Sequence, residues 1–228
     1  MANETSKASM RRFNNGAFHN RYYAGDGIDI GAGDDSLAQW LHVFKGLKSI
    51  KNWDIDKGDG DAQHMNGIKD GTFDFINASH CLEHLNDPIE GMSNWLRIIK
   101  PGGYVIILVP DFSMYEREMW PSIMNNQHKH SFTLNKPKPD INNHNVLEFC
   151  AYFIEIATVE SINIQHAFYN PTDTYDQTKY PTTECAIEFI LKKNTTEKEF
   201  VQPELTGRKV EQKVAAGPVT QDWYPGAV

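Results

Sequence analysis

The stretch GIDIGAGDDS, residues 27–36, constrains the chain more than any other. An apolar run ends in two glycines one residue apart, Gly31 and Gly33, with Ala32 between them. Behind them DDSLAQWLHVFKGL sets Leu37, Trp40, Leu41, Phe44 and Leu47 at helical spacing. This predicts strand, tight turn and helix, with Asp34 or Asp35 as N-cap. KSIKNWDI reads as a second strand and FDFINA as a third. DPIEGMSNWLRIIK reads as a helix, with Asp87 as cap, Pro88 in the first position and an apolar stripe of Ile89, Met92, Trp95, Leu96 and Ile99, stopped by Pro101-Gly102-Gly103. YVIILV is apolar enough to be buried on both faces of a parallel sheet. NVLEFCAYFIEIATV predicts a further helix, and SINIQHAF and CAIEFILKK two closing strands. The alternation predicts an α/β protein, a Rossmann-like doubly wound and mostly parallel sheet with an antiparallel final hairpin strand.

The 228 residues suffice for one well-filled domain, here expected over 26–193, with an N-terminal arm over 1–25 and a polar tail over 194–228. Residues 111–140 lack a clean period, and an irregular segment that long inside a compact domain is usually functional. The net charge of -8 argues against a general affinity for nucleic-acid backbones. No apolar leader and no window near the roughly 18 apolar residues of a membrane span are present, so a soluble, cytoplasmic protein is expected. Cys81, Cys150 and Cys185 are widely spaced and odd in number, which predicts reduced thiols.

The glycine loop is acidic where a diphosphate would normally sit. A dinucleotide loop wants a third glycine or alanine at position 36, which is Ser36, and Asp34 and Asp35 would face the pyrophosphate at a cost of several kcal/mol. A nucleoside carrying positive charge removes the conflict. S-adenosylmethionine is such a ligand, and Asp29 at the strand end is placed to influence its cationic end. With GIDIGAG, WDIDKGDGDAQ, FDFINASHCLEHLNDP and LRIIKPGGYVIILVP in this order, the chain resembles the class I S-adenosylmethionine-dependent methyltransferases, most closely the type 11 group, from Tyr22 to Pro110.

The resemblance implies a cofactor site at Asp29, Gly31, Ala32 and Gly33. Asp54 or Asp56 follows the second strand at the spacing of a ribose-binding acid, Asp54 being favoured, with Ile55 against the adenine. Asp61 and Ala62 resemble the family's Asp-Ala pair, which reads the adenine edge. The family normally places a helix and a strand between these two acids, and here only seven residues separate Asp54 from Asp61. Ser79 and His80 would line the methionine end, with Glu83 and His84 holding the loop. HCLEHL also fits His-x-x-Glu-His, an inverted zinc-protease signature, which needs both histidines on one helical face and a third ligand.

The acceptor pocket is expected from the arm around Tyr22 and from Asp111, Tyr115 and Trp120. His130 or His128 would be the base for a hydroxyl or amine, since imidazole titrates near neutral pH. The His128-x-His130 pair has no visible further ligands, so no metal is expected. NASH is not the Asn/Asp-Pro-Pro-aromatic motif of base-amine enzymes, and Cys81 lacks the preceding proline of pyrimidine-ring enzymes. The expected acceptor is a small hydrophilic molecule, a sugar or sugar-linked hydroxyl or amine, rather than nucleic acid. The rival readings are a non-catalytic S-adenosylmethionine or S-adenosylhomocysteine binder and an NAD-dependent oxidoreductase, against which the acidic loop argues.

Overall fold

The computed structural model describes residues 3–195. All but the first two residues of the expected polar tail lie outside this range. The elements run α1 (Glu4–Phe13), α2 (Gly16–Tyr22), β1 (Gly25–Ile30), β2 (Leu47–Trp53), β3 (Phe73–Ser79), α3 (Pro88–Ile98), β4 (Ile99–Pro110), β5 (Ser131–Thr133), β6 (Asn143–Asn145), α4 (Val146–Ala151), β7 (Ala157–Gln165) and β8 (Ala186–Lys193). Six strands form one sheet in the order β2-β1-β3-β4-β8-β7. β1 to β4 are mutually parallel, and β8 runs antiparallel between β4 and β7. The sheet is therefore the mixed, mostly parallel one expected, and its final strand inserts rather than joining an edge.

The central strands are continuous apolar runs because both faces are covered. Ile28, Ile30, Ile76, Val105, Ile107 and Phe189 pack with Trp95, Leu96 and Phe149 on one side. Phe75, Ile106 and Ile190 pack with Tyr23, Phe44 and Leu37 on the other. α3 forms as its sequence dictates: Asp87 accepts from the N–H groups of Ile89 and Glu90, and Pro88 opens the first turn.

Two local expectations are corrected. The helix predicted behind the glycine loop is only a 3-10 turn at Leu37–Trp40 followed by further turns. Ser36 caps the Ala38 N–H, Asp29 takes the Leu37 N–H, and Gly46 is pressed on the Tyr23 carbonyl, so the chain enters β2 before an α-helix can propagate. The N-terminal arm is helical and supplies the missing cover. α1 is rich in strong helix formers, with Glu4 in its first turn and Arg11 and Arg12 in its last, complementing the helix dipole. The helix predicted over Asn145–Val159 stops at Ala151, and Ala157–Val159 join β7 beside β8.

Between β2 and β3 no strand or α-helix intervenes, so β2 is the sheet edge. The shortened link between the two candidate acids is real in the fold. β5 and β6 pair with each other outside the main sheet, bringing the 111–140 segment back over the strand ends. Among the described residues no helix is long and apolar enough to cross a membrane, and the three cysteines are free and buried.

Candidate active site

The carboxyl ends of β1, β2 and β3 open into a cleft, the usual ligand position in such sheets. Gly31 and Gly33 turn the chain out of β1 with φ of +72° and +50°. A Cβ at Gly31 would stand 2.7 Å from the Cβ of Cys81, so the backbone itself must form this wall. The cleft has two lobes that share Gly31, His80 and His84. The larger, about 660 Å³, takes Asp54, Ile55, Asp56, Asp61 and Ala62 along one side. The smaller, about 220 Å³, runs past Ala32, Gly33 and Ser79 to Tyr115 and His128, and α1 closes it with Glu4 and Thr5.

In the larger lobe Asp54 Oδ2 accepts from the Gly33 N–H at 2.9 Å and Oδ1 from the Asp56 N–H at 2.9 Å. This ties the end of β2 to the glycine loop, and each oxygen keeps a second lone pair. Ile55 is 67% exposed on the cleft wall, an apolar surface awaiting a partner. Asp61 folds into a local turn through the Gln63 N–H and contacts His64, while the Ala62 carbonyl accepts from Trp95 Nε1.

The smaller lobe is polar. His80 follows β3 with φ of +53°, a strained conformation for a non-glycine residue. Burial pushes its imidazole well below the usual range. Burial also acts to lower His128, but the Glu116 carboxylate, 2.6 Å from its Nδ1, and the charge of Glu83 outweigh this and hold it above its ordinary value. Glu4 is raised to about 7 by burial, against the opposing pull of Lys7.

Five expected residues lie elsewhere. Asp29 is buried under the loop and lines neither lobe: Oδ2 accepts from the Leu37 N–H at 2.7 Å and Oδ1 from Asn77 Nδ2 at 2.6 Å. Tyr22 packs edge-on against Tyr104 in a separate hollow beside β7. Asp111 is consumed in capping Ser113 and Met114. Trp120 lines neither lobe. His130 stacks near His144 with its Nδ1 2.9 Å from His144 Nε2, and its other nitrogen meets the Asn86 carbonyl. Asp29, Asp111 and His130 are each taken up by polar partners away from the cleft, and Tyr22 by an aromatic one. The zinc-protease reading also fails: residues 80–84 are the bend after β3 and a 3-10 turn at Leu82–His84, not an α-helix.

Glu4, Thr5, Glu116 and Thr178 were not legible as site residues. They come from three segments far apart in the chain, α1, the turn after β4 and the turn before β8, which only the fold brings together.

Burial raises the Asp29 carboxyl to about 6, against the lowering effect of its bonds from Asn77 and Leu37. The folded state therefore keeps a proton that the unfolded chain releases, and this stabilising contribution is full below about pH 4 and lost as pH rises through 6. Thermal melts of Asp29→Asn and the parent chain at pH 4 to 8 should show the parent losing on the order of 2–3 kcal/mol relative to the variant over that span. A constant gap would mean that Asp29 is ionised throughout.

A family profile described as methyltransferase domain matches residues 4–136, more than half of the chain. The chain belongs to this family and has the class I S-adenosylmethionine-dependent methyltransferase fold. It is 34% identical over 96 residues to ajmaline N-methyltransferase of Rauvolfia serpentina, covering 42% of this chain and 30% of that protein. It is 35% identical over 85 residues to demethylmenaquinone methyltransferase of Renibacterium salmoninarum, covering 37% and 33%. The aligned part thus spans about a third of these curated relatives. A S-adenosylmethionine-dependent methyltransferase of Archaeoglobus fulgidus shares the fold with a TM-score of 0.54 at 18% identity, over 83% of this chain and 94% of that one. One from Mesorhizobium loti does so with a TM-score of 0.52 at 13% identity, over 81% and 97%.

Proposed function

We propose that the protein transfers the methyl group of S-adenosylmethionine to a small hydrophilic acceptor, a sugar or sugar-linked hydroxyl or amine. The observation that carries this is the two-lobed cleft, with a glycine-loop wall common to both lobes, acids and Ile55 in the larger and imidazoles in the smaller. The nucleoside would occupy the larger lobe, with Asp54, or Asp56 beside it, on the ribose hydroxyls, Ile55 on the adenine, and Asp61 and Ala62 at the adenine edge. Gly31, Ala32, Gly33, Ser79 and His80 would border the methionine end. The cofactor supplies an activated methyl group on a sulfonium, so the protein's share is alignment, exclusion of water and handling of the acceptor's proton.

The acceptor would enter the smaller lobe beside Tyr115 and His128. Of the two histidine candidates only His128 borders that space, so it is the one assigned to the reaction. The polar walls favour a hydrophilic acceptor over an apolar one. The names of the relatives, an alkaloid N-methyltransferase and a quinone methyltransferase, leave the acceptor's class to be tested.

Calorimetric titration with S-adenosylmethionine, S-adenosylhomocysteine and NAD tests the cofactor. Micromolar binding of the first two and none of NAD is expected. Asp54→Ala should weaken it at least tenfold, about 1.4 kcal/mol or more, because the ribose and the loop lose one anchor together. A screen of sugar acceptors for S-adenosylhomocysteine release follows. Cofactor binding without turnover on any acceptor would favour a non-catalytic binder, and binding of NAD alone would sink the reading.

A further inference from the structure

The carboxylate of Glu83 is fully buried, yet neither oxygen has a hydrogen-bond partner. Its Oε1 lies 3.8 Å from His84 Nε2, 3.8 Å from His128 Nε2 and 3.6 Å from His80 Nδ1. One donor atom each from Glu83, His84 and His128 falls within a 4.8 Å span. The other ring nitrogens are already engaged: His84 Nδ1 faces the Gln127 carbonyl at 3.2 Å, and His128 Nδ1 faces Glu116. Both partners only accept, so both Nδ1 atoms carry a proton, and each Nε2 is the atom directed at Glu83. A proton on either Nε2 would be too far from the carboxylate to bond it. A buried carboxylate that no donor reaches at hydrogen-bond distance calls for a cation at this point.

We propose that Glu83, His84 and His128 hold a divalent transition-metal ion, zinc by the donor set, whose open position faces the smaller lobe and takes the hydroxyl oxygen of the acceptor. Ligands about 2.0–2.1 Å from a tetrahedral zinc lie about 3.3 Å apart, so the two 3.8 Å separations close by about 0.5 Å each, and the widest, up to 4.8 Å, by about 1.5 Å through rotation of the two imidazoles. Two histidines, one glutamate and a fourth open position make a catalytic rather than a structural set. Glu116 and the Gln127 carbonyl are the outer partners that fix the tautomers of metal-bound imidazoles. The Glu83 carbonyl accepts from the N–H groups of Lys129 and His130, which clamps the His128 segment onto the turn bearing His84. No local motif reveals the set, because His128 arrives 44 residues after His84.

This assignment rests on the methyltransferase reading for its chemistry and gives His128 its role. On coordination the hydroxyl releases its proton to solvent. The oxygen then takes the methyl carbon, and the carbon–sulfur bond breaks with its electron pair staying on sulfur. A neutral amine would spend on the metal the lone pair it needs for attack, so the site selects a hydroxyl.

The test uses tag-free full-length protein, with zinc alone as probe. One equivalent of tightly held zinc is expected by elemental analysis and chelator competition. His84→Ala and His128→Ala should weaken it more than 100-fold, and the surface variant His42→Ala should not. No stoichiometric zinc, or an unchanged affinity in both ligand variants that still fold by circular dichroism, overturns the site. Cobalt-substituted protein should show four-coordinate visible bands that shift on adding acetohydroxamate; a spectrum that does not respond overturns the open position. Calorimetry with S-adenosylhomocysteine on the same samples separates the two readings. Binding without zinc removes the metal site alone, and zinc without binding supports the metal site and removes the methyltransferase reading.

Discussion

Gly31→Val is expected to weaken S-adenosylmethionine and S-adenosylhomocysteine binding at least 100-fold. Three costs coincide at this position. A β-branched residue at φ of +72° is strained by a few kcal/mol. Its Cβ would stand 2.7 Å from Cys81 Cβ and 2.8 Å from Cys81 Sγ. Gly31 also borders both lobes, so any relief of the clash moves the shared wall into the space the ligand needs. Gly71→Ala is the matched control. It too has a positive φ, +59°, but nothing lies within 4 Å of its added Cβ. It should lose about 1 kcal/mol of stability and keep full affinity. Calorimetry on the two variants decides the matter, and an affinity in Gly31→Val within tenfold of the parent would place the ligand elsewhere.

Arg12→Met should cost about 3–5 kcal/mol of stability, measured by urea unfolding. Arg12 is fully buried in the last turn of α1. Its Nη2 donates to Glu188 Oε2 at 2.6 Å and its Nη1 to Asn77 Oδ1 at 3.1 Å and to the Tyr23 hydroxyl, with the guanidinium over the Phe18 ring. Removing it leaves the buried Glu188 carboxylate with Arg11 alone. Asn77 in turn donates to Asp29, which holds the turn behind the glycine loop. Loosening this chain loosens the turn behind the glycine loop, so cofactor affinity should fall along with stability. A second change, Glu188→Leu, should recover part of the stability by removing the stranded charge. A loss below 1 kcal/mol in the single variant would show that Arg11 already carries the pairing.

The two predictions meet at one structural device. The crossover helix expected behind β1 is replaced by a short 3-10 turn, and the N-terminal helices take over its duty of covering that face and closing the cleft. Ser6 reaches the Asp35 carboxylate and Lys7 the Thr178 carbonyl, so α1 is stapled to the glycine loop and to the segment before β8. The acidity of the loop thus has a structural use. Asp35 anchors α1, while Asp34 pairs with Lys57 across the mouth of the cleft.

The architecture could be read from the chain because periodicity and punctuation are local. The apolar runs of β1, β3 and β4, the cap and proline of α3, and the two glycines before Ser36 specify strands, helix and turn within a few residues of themselves. Residues of the cleft were legible for the same reason: Gly31, Asp54, Ile55, Asp61 and Ala62 lie in the segments that leave β1 and β2, and these segments line the larger lobe. Side-chain direction was not legible. Whether Asp29 faces the cleft or the Leu37 N–H, and whether His128 or His130 borders the smaller lobe, depends on which polar partner arrives from another segment. Tertiary packing alone set Glu116 against His128, folded α1 over the smaller lobe, and left Glu83 buried among three imidazoles. Those choices rest on long-range pairing of buried polar groups, for which one-dimensional spacing carries no signal.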